Sequence, residues 1–431
     1  MLELLDLRER GGRLEPSKLE IDPALAETVR GILQRVFVEG DEVLLELAQK
    51  FDGADLRGTI MVSDAEFAAA EAGTPPELRT ALDQLIERLR DLHGRQLPPE
   101  WWDQRDGVRF GEIVRPLGSV GCYVPGGRAA YPSSVAMTVV PAVVAGVEEI
   151  VLCTPPGADG TVTPAVLYAA RRAGASCVAK TGGAQAIGAM AYGTESVPRV
   201  DRIVGPGNAY VTEAKRQVAG LVGIDGLAGP SELAIVADAS ADPAVMALDL
   251  IAQAEHDPEA RCFFVSTDAA LIEQVTASLG VAIKSAGRRE IVDAAMQHTK
   301  TVLVRDLAQA AEVVNDLAAE HLQLVLIDPE TFLKDVRNAG AIFIGPSTAV
   351  PFGDYGVASN HVLPTAGTSR FSSGLRASDY VTVSSVVQMN ADAARRYAPG
   401  TTTIAKAEGL VGHARAMDAR TMDARTQDEP A

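Results

Sequence analysis

Residues 232–266 read ELAIVADASADPAVMALDLIAQAEHDPEARCFFVS. The runs 232–237 and 261–266 are short, apolar and rich in Val, Ile and Phe, which is typical of buried strands. The stretch 242–255 between them has helical character and meets a helix-stop signal at Pro258. A strand, a helix and a second strand in this order predict parallel strands covered by helices.

The same alternation extends along the chain on both sides of this unit. Strands are predicted near residues 119–124, 148–153, 176–180, 200–204, 232–237, 261–266, 301–304, 322–327 and 341–344. Helices are predicted near residues 133–146, 164–173, 185–192, 209–218, 242–255, 268–280, 306–319 and 329–337. Because so many parallel strands would make one very large sheet, we expect two smaller α/β units.

Both ends of the chain and one internal stretch depart from this alternation. Helices are predicted before residue 94, and His93 is expected to be solvated near the end of the last one. Residues 347–376 form a long region rich in Gly, Pro and Ser, and a loop of this length is usually functional or disordered. The presence of Asp354, His361 and Arg370 favours a functional loop. A strand near 380–388 and a helix near 390–411 follow it. The closing sequence RAMDARTMDARTQDEPA has no apolar face and predicts a disordered tail.

Length and composition exclude several classes of protein. A chain of 431 residues predicts two or more domains, and a net charge of −18 argues against a nucleic-acid backbone as partner. The four cysteines are scattered without a Cys-x-x-Cys pair, which suits a reducing compartment. The longest apolar run, 135–147, contains Pro141 and is too short to span a bilayer. We therefore expect a cytoplasmic protein that does not enter membranes.

Three glycine turns each follow a predicted strand and precede a predicted helix. They are GCYVPGG at 121–127, TGGAQ at 181–185 and VGPGN at 204–208. Any one of them is more simply explained as a tight turn. Three turns at the carboxyl ends of parallel strands would line one crevice, and that is where open α/β sheets bind ligands. Helix N-termini bind anions, so together the turns favour a nucleotide site.

Gln253 and His256 lie three residues apart in a helical segment, so their side chains share one face. An amide oxygen and an imidazole can hold a divalent cation, but two ligands do not make a site. The alternative is an ordinary helix end. The metal interpretation gains support because His256, His321, His361 and His413 all lie in segments unlike ordinary core or surface.

Other candidate groups also have two interpretations. Glu320 and His321 offer adjacent proton carriers with different pKa values, as a multistep acid/base reaction needs; the alternative is a surface Glu beside a capping His. Asp354, on a glycine-flanked loop, is either a metal ligand or part of an Asx-turn. Glu408 and His413 lie near the end of the last helix, where a solvated helix end is the simpler explanation.

Longer motifs carry a resemblance that spacing alone does not. The strings GCYVPGG, GGAQA, GTESVP, GPGNAYVTEAK, AGPSE, QAEHD, AEHLQ and SNHVLPT occur in this order. The chain resembles the histidinol dehydrogenase family from about residue 20 to residue 413. The resemblance implies an α/β fold with two Rossmann-like parallel-sheet domains, one inserted in the other, plus small N- and C-terminal segments.

The domain boundaries are also carried over from the resemblance. The chain is expected to have five parts. These are an N-terminal arm (1–20), a first Rossmann-like domain with the metal and acid/base residues (21–121 and 232–375), an inserted second domain with the NAD crevice (122–231), a C-terminal segment that reaches the partner subunit (376–413) and a disordered tail (414–431).

The family resemblance implies an enzyme that oxidises L-histidinol to L-histidine through histidinal with two NAD⁺, the last step of histidine biosynthesis. Glu320 and His321 match its catalytic pair. Each subunit of an intertwined homodimer would bind one Zn²⁺ through Gln253, His256, Asp354 and His413, with the last from the partner subunit. The implied substrate contacts are Ser231, Gln253, His256, His321, Asp354, His361, Glu408 and His413. The implied NAD contacts are Tyr123, Gln185 and Asn208.

Two departures from the family pattern keep other functions in view. Asp379-Tyr-Val-Thr stands where the family has an Asp-Phe-Leu-Lys-like stretch, and Gly226 stands where a bulkier residue is common. One alternative is a zinc- and NAD-dependent dehydrogenase of another small polyol, such as a sulfonated diol. The other is a non-catalytic metal- or nucleotide-binding protein, against which the retained Glu320 and His321 argue.

Overall fold

The computed structural model describes residues 2–9, 14, 18, 22–126 and 130–421. The chain forms two compact units. The first consists of Met1–Gln96 and Leu117–Tyr380, and the second of Leu97–Pro116 and Val381–Ala431. Gly127, the last residue of the first glycine motif, lies outside the described residues.

The strands, numbered along the chain, are β1 Glu3–Asp6, β2 Trp101–Arg105, β3 Val108–Pro116, β4 Ser119–Tyr123, β5 Glu149–Thr154, β6 Cys177–Lys180, β7 Arg202–Val204, β8 Gly223–Ile224, β9 Glu232–Ala237, β10 Arg261–Ser266, β11 Lys300–Leu303, β12 His321–Val325, β13 Ala341–Ile344 and β14 Val381–Met389.

The α-helices are α1 Pro23–Glu39, α2 Asp41–Leu47, α3 Asp64–Gly73, α4 Pro76–Gly94, α5 Pro132–Ala145, α6 Pro164–Ala173, α7 Gly183–Tyr192, α8 Ala209–Val218, α9 Pro243–Ala254, α10 Ala269–Ala282, α11 Arg289–Ala295, α12 Leu307–Leu317, α13 Pro329–Leu333, α14 Pro351–Asp354, α15 Ala391–Ala407 and α16 Val411–Asp418. A π-helical turn, Ala48–Asp52, extends α2.

Two parallel sheets form the framework of the first unit. One has six strands in the order β1-β11-β10-β9-β12-β13, and the other has five in the order β6-β5-β4-β7-β8. The strands of the five-stranded sheet lie between β1 and β9 along the chain. The predicted α/β fold with two Rossmann-like sheets is therefore confirmed. In the segment predicted as an N-terminal arm, β1 adds an edge strand to the six-stranded sheet.

Apolar packing explains why the strands and helices alternate as they do. All six residues of β9 are buried, as expected for a strand covered on both faces. Helix α5 is buried along nearly its whole length and carries apolar residues on every side, so it packs within the core. Helices α1 and α2 are amphipathic by contrast, and their buried faces join the core of the five-stranded sheet.

In each sheet the order in which strands are added changes direction at one strand. In the five-stranded sheet, β5 and β6 are added on one side of β4, and β7 is then added on its other side. The six-stranded sheet does the same between β9 and β12. Such switch points open a crevice beside the sheet. The first lies where Tyr123 ends β4 and Val204 ends β7.

The second unit contains elements that the sequence patterns did not predict. Strands β14, β3 and β2 form an antiparallel sheet, with a turn at Asp106 and Gly107 that has positive φ at both residues. Strands β2 and β3 carry many charged and aromatic residues on exposed faces, so they lack the apolar runs used to predict buried strands.

Two sequence-based expectations are corrected by the structure. His93 was expected to be solvated but is fully buried. Protein groups take the place of water at both ring nitrogens, because Nδ1 bonds to the Gln96 side chain at 2.7 Å and Nε2 to the Asn360 amide at 3.2 Å. Disorder was expected from residue 414, but α16 continues to Asp418, where Ala414 is buried and Thr402 bonds to the Asp418 carboxylate. Residues 422–431 of the predicted tail lie outside the described residues.

Within the described ranges, no helix combines the length and the apolar character that crossing a membrane requires.

Candidate active site

A cavity of about 1620 Å³ lies in the first unit. Its lining includes residues from the carboxyl edge of the five-stranded sheet, such as Tyr123 and Gly205, and from the amino edge of the six-stranded sheet, such as Glu320 and His321. Pockets for one small molecule occupy roughly 300–1,000 Å³. This cavity is therefore large enough for a dinucleotide and a small substrate together.

Glu320 and His321 are both held by the backbone of Glu232. The strand register places His321 opposite Leu233, so the pair meets the beginning of β9. The backbone N–H of Glu232 donates to Glu320 Oε2 at 3.0 Å, and the Glu232 carbonyl accepts from His321 Nδ1 at 3.1 Å. A carbonyl can only accept, so His321 Nδ1 carries the proton and Nε2 has the free lone pair.

Burial shifts the pKa values of Glu320 and His321 in opposite directions. It raises the pKa of Glu320 well above its ordinary value, although the Glu232 N–H lowers it in part. Burial also lowers the pKa of His321 to about 4, while the Asp354 charge acts in the opposite direction. At neutral pH the imidazole is thus a neutral proton acceptor, and the carboxyl group binds protons more tightly than an exposed glutamate.

Asp354 lies between the two histidines. Its carboxylate oxygens are 3.9 Å from His256 Nε2 and 3.9 Å from His321 Nε2. Its position depends on the 347–376 region, where the predicted loop forms the short helix α14. The same region supplies His361, whose Nδ1 donates to the Asp354 carbonyl at 3.0 Å. The site residues of this region are therefore held by backbone as well as side-chain contacts.

His361 has a second partner that sequence reasoning missed. Its Nε2 lies 3.1 Å from the hydroxyl of Ser134, a buried residue in the first turn of α5. Since His361 Nδ1 donates to a carbonyl, neutral Nε2 accepts the Ser134 proton. Burial lowers the pKa of His361, which favours this neutral form.

Gln253 is 3% exposed, at the end of α9, and its amide nitrogen is buried without a hydrogen-bond partner. An unpartnered buried amide is costly, and the two ends of the amide group can exchange by rotation. His256 follows α9 and lines the cavity. The unpartnered amide of Gln253 and the imidazole of His256 are consistent with a metal site.

The donor types also fit a metal ion. Two ligands of one zinc ion lie about 3.4 Å apart, close to the 3.9 Å between His256 Nε2 and Asp354 Oδ2. Among the residues that the structure describes, no three His, Cys, Asp or Glu side chains are grouped to hold a metal ion. The first unit thus offers one imidazole, one carboxylate and the Gln253 amide from the predicted ligand set.

The predicted NAD contacts surround the first switch point. Tyr123 is buried at the end of β4, and its hydroxyl accepts the Gly183 N–H at 3.1 Å. Gln185 is buried in the first turn of α7, and the ideal Cβ position of Gly183 lies 2.9 Å from its side-chain oxygen. Asn208 caps α8 by accepting the N–H groups of Tyr210 and Val211. All three predicted contacts line the cavity.

The remaining predicted residues fall in two places. Ser231 precedes β9 and lines the cavity. Glu408 and His413 belong to the second unit, where Glu408 caps α15, His413 lies in α16 and both are exposed.

Asp52 is a further lining residue that the sequence analysis missed. It ends the π-helical turn, and such turns are frequent at functional sites. Its Oδ2 is buried with no hydrogen-bond partner, and burial raises its pKa from 3.8 to about 6. No motif marked this aspartate, because its isolation arises only when the turn packs beside the cavity.

The sequence model of the histidinol dehydrogenase family matches residues 16–421. The chain belongs to the histidinol dehydrogenase family. A histidinol dehydrogenase of Halalkalibacterium halodurans is 45% identical over 392 residues, which cover 90% of this chain and 92% of that protein. One from Bacillus subtilis is 44% identical over 407 residues, covering 93% and 95% respectively.

A solved structure agrees with this membership. The crystal structure of histidinol dehydrogenase from Elizabethkingia anophelis matches with a TM-score of 0.93 and 31% identity, covering 97% of this chain and 98% of that one. The family consists of NAD-dependent oxidoreductases that act on a small molecule. These relatives do not favour the alternative of another polyol dehydrogenase.

Asp52 provides a prediction of pH-dependent stability. An acid whose pKa is raised on folding loses stability as pH rises from about 4 to about 6, and the cost is complete above that range. Asp52→Asn cannot ionise and should therefore raise the free energy of unfolding at pH 7.5. We expect a gain of about 1 kcal/mol, discounting the shift because the side chain is partly exposed.

Denaturant unfolding at pH 7.5 and pH 4 checks this expectation. At pH 4 Asp52 is mostly protonated in the folded protein, so the gain should largely disappear. Asp91→Asn, at an exposed position of α4, is the matched control and should show no such pH-dependent gain. Equal gains for Asp52→Asn at both pH values would contradict the assigned cause.

Proposed function

We propose that this protein oxidises L-histidinol to L-histidine through histidinal, using two NAD⁺ and one zinc ion per subunit, as the last step of histidine biosynthesis. The observation that carries the proposal is the Glu320–His321 pair held by the backbone N–H and carbonyl of Glu232, beside the His256 and Asp354 side chains. A proton acceptor, a second proton carrier and metal-type ligands then adjoin one cavity.

The residues of this chain would perform the proton transfers. In the first oxidation the free Nε2 of His321 accepts the proton of the substrate alcohol. In the second, Glu320 accepts a proton from the water that adds to the aldehyde. Its raised pKa makes its carboxylate a stronger base than an exposed one. When bound, NAD⁺ would supply the electron acceptor for each oxidation.

Gln253, His256 and Asp354 would hold the metal, together with His413 of the partner subunit in an intertwined homodimer. When bound, zinc would supply a positive charge that fixes the imidazole and amine of the substrate. Ser231, His361 and the partner's Glu408 would complete the substrate contacts, and Tyr123, Gln185 and Asn208 would contact NAD. We also propose that the two sheets correspond to the two predicted Rossmann-like domains, the five-stranded sheet to the domain with the NAD crevice and the six-stranded sheet to the domain with the metal and acid/base residues.

The direct test is the ratio of NADH formed to L-histidinol consumed by zinc-loaded protein. We expect two NADH per substrate, because both oxidations take place in one cavity. No turnover of histidinol, with turnover of another alcohol or diol, would overturn the proposed substrate.

His256→Ala should remove one imidazole ligand and reduce both the zinc content and the activity. We expect metal affinity to fall by about tenfold to a hundredfold or more, since a ligand contributes at least as much as its supporting contacts. Metal analysis after equilibrium dialysis measures this directly. His298→Ala, which removes a partly exposed histidine near Glu259, is the matched control and should retain its zinc. Unchanged zinc in His256→Ala would rule out the ligand assignment.

Glu320→Gln keeps the size of the side chain but removes the proposed base. Oxidation of histidinal should fall more than oxidation of histidinol, because only the aldehyde step needs an activated water. General-base removal typically costs about a hundredfold to ten-thousandfold. Single-turnover assays started from each substrate separate the two steps. Equal losses in both steps would contradict this role for Glu320.

A further inference from the structure

Lys215 and Asp225 form an ion pair beside the cavity. Their side chains are 4% and 8% exposed, and the Lys215 ammonium contacts Asp225 Oδ1 directly. Lys215 lies on α8, and Asp225 follows the short strand β8. A buried ion pair often adds no stability compared with apolar side chains of similar size. The role of Lys215 and Asp225 is therefore better inferred from the backbone groups that they hydrogen-bond to than from stability.

Lys215 and Asp225 hydrogen-bond to the carbonyl and the N–H of Gly205 respectively. The ammonium of Lys215 donates to the Gly205 carbonyl at 2.8 Å, and the Gly205 N–H donates to Asp225 Oδ2 at 2.7 Å. Asp225 Oδ1 also accepts the Gly226 N–H at 2.8 Å. Charge-assisted hydrogen bonds of this kind are stronger than neutral ones, so the position of Gly205 is closely fixed.

Gly205 is the residue where the third glycine turn leaves β7. Its φ of +116° suits glycine alone, and an ideal Cβ would lie 2.1 Å from the Tyr123 carbonyl oxygen. The turn is thus pressed against the end of β4, where the Tyr123 hydroxyl also holds Gly183. Three residues later Asn208 begins α8. Moving Gly205 would displace the turn that leads to Asn208 and change how it packs against Tyr123.

The same buried face of α8 also holds the segment that leads to the catalytic pair. Thr212, one helical turn before Lys215, donates to the Ala228 carbonyl at 2.9 Å. The neighbouring Gly229 N–H donates to the Thr365 hydroxyl at 2.6 Å. This segment continues through Ser231 to Glu232, whose backbone N–H and carbonyl hold Glu320 and His321. Helix α8 therefore connects the cofactor turn to the acid/base residues by hydrogen bonds.

We propose that Lys215 and Asp225 are positioning residues, which hold the 205–208 turn in register with the 225–231 segment and so place the cofactor against the catalytic pair. The inference rests on the proposed use of NAD. Neither side chain is assigned a contact with reacting atoms. Both act through Gly205, so removing either one should weaken NAD binding and slow turnover. Substrate binding without the cofactor should not change.

The test compares Lys215→Met, Asp225→Ala and the double variant Lys215→Met/Asp225→Leu in the full-length, zinc-loaded protein. Leu167→Ala, a buried position of α6, is the control for destabilisation alone. NAD⁺ binding is measured by calorimetry, kcat and KM by NADH formation, and stability by thermal unfolding. We expect the KM for NAD⁺ to rise and kcat to fall, each by about tenfold to a hundredfold, in all three variants. The affinity for histidinol without cofactor should stay within about twofold.

Asp225→Ala separates positioning from simple attraction of an anionic cofactor to Lys215. If attraction alone mattered, removing the Asp225 charge would strengthen NAD⁺ binding, and that result would overturn the proposal. The double variant separates positioning from stability, because two apolar residues can restore stability without holding Gly205. Recovery of both stability and NAD⁺ affinity in it would also overturn the proposal. A wild-type protein that fails to bind NAD⁺ or oxidise histidinol would instead refute the underlying function.

Discussion

The candidate site depends on the hydrogen bonds that the backbone of Glu232 makes. A buried carboxyl group and a buried imidazole each need a hydrogen-bond partner, and this one residue supplies its N–H as a donor to Glu320 and its carbonyl as an acceptor to His321. The parallel register of β9 and β12 makes this possible, since it places His321 opposite Leu233. The same contact fixes which nitrogen of His321 carries the proton. The tautomer of His321 and the hydrogen bonding of Glu320 thus both depend on the pairing of β9 with β12.

The two sheets contribute to the cavity in different ways. The five-stranded sheet supplies glycine turns at the carboxyl ends of its strands, where helix N-termini and backbone N–H groups are exposed. The six-stranded sheet supplies side chains at its amino edge, because α9 and α12 run opposite to the strands and end there. The nucleotide side is therefore built mainly from backbone, and the acid/base and metal side from carboxylate, amide and imidazole groups.

Much of the framework could be predicted from sequence patterns. The nine strands predicted between residues 119 and 344 are all present within a few residues of their expected bounds, because buried parallel strands read as apolar runs. The hairpin of β2 and β3 was missed because its strands are exposed and charged. The roles of Ser134 and Asp52 were missed because each depends on packing between distant segments.

The α/β class, the family and the residue types that the chemistry needs can be inferred from the amino-acid sequence, because apolar periodicity and long motifs are local properties of the chain. How those residues act depends on the folded arrangement. Which His321 nitrogen is free, how burial shifts the pKa values of Glu320 and His321 in opposite directions, and why His93 is buried all depend on residues far apart in sequence. Hydrogen bonds and desolvation act through space, and no spacing along the chain encodes them.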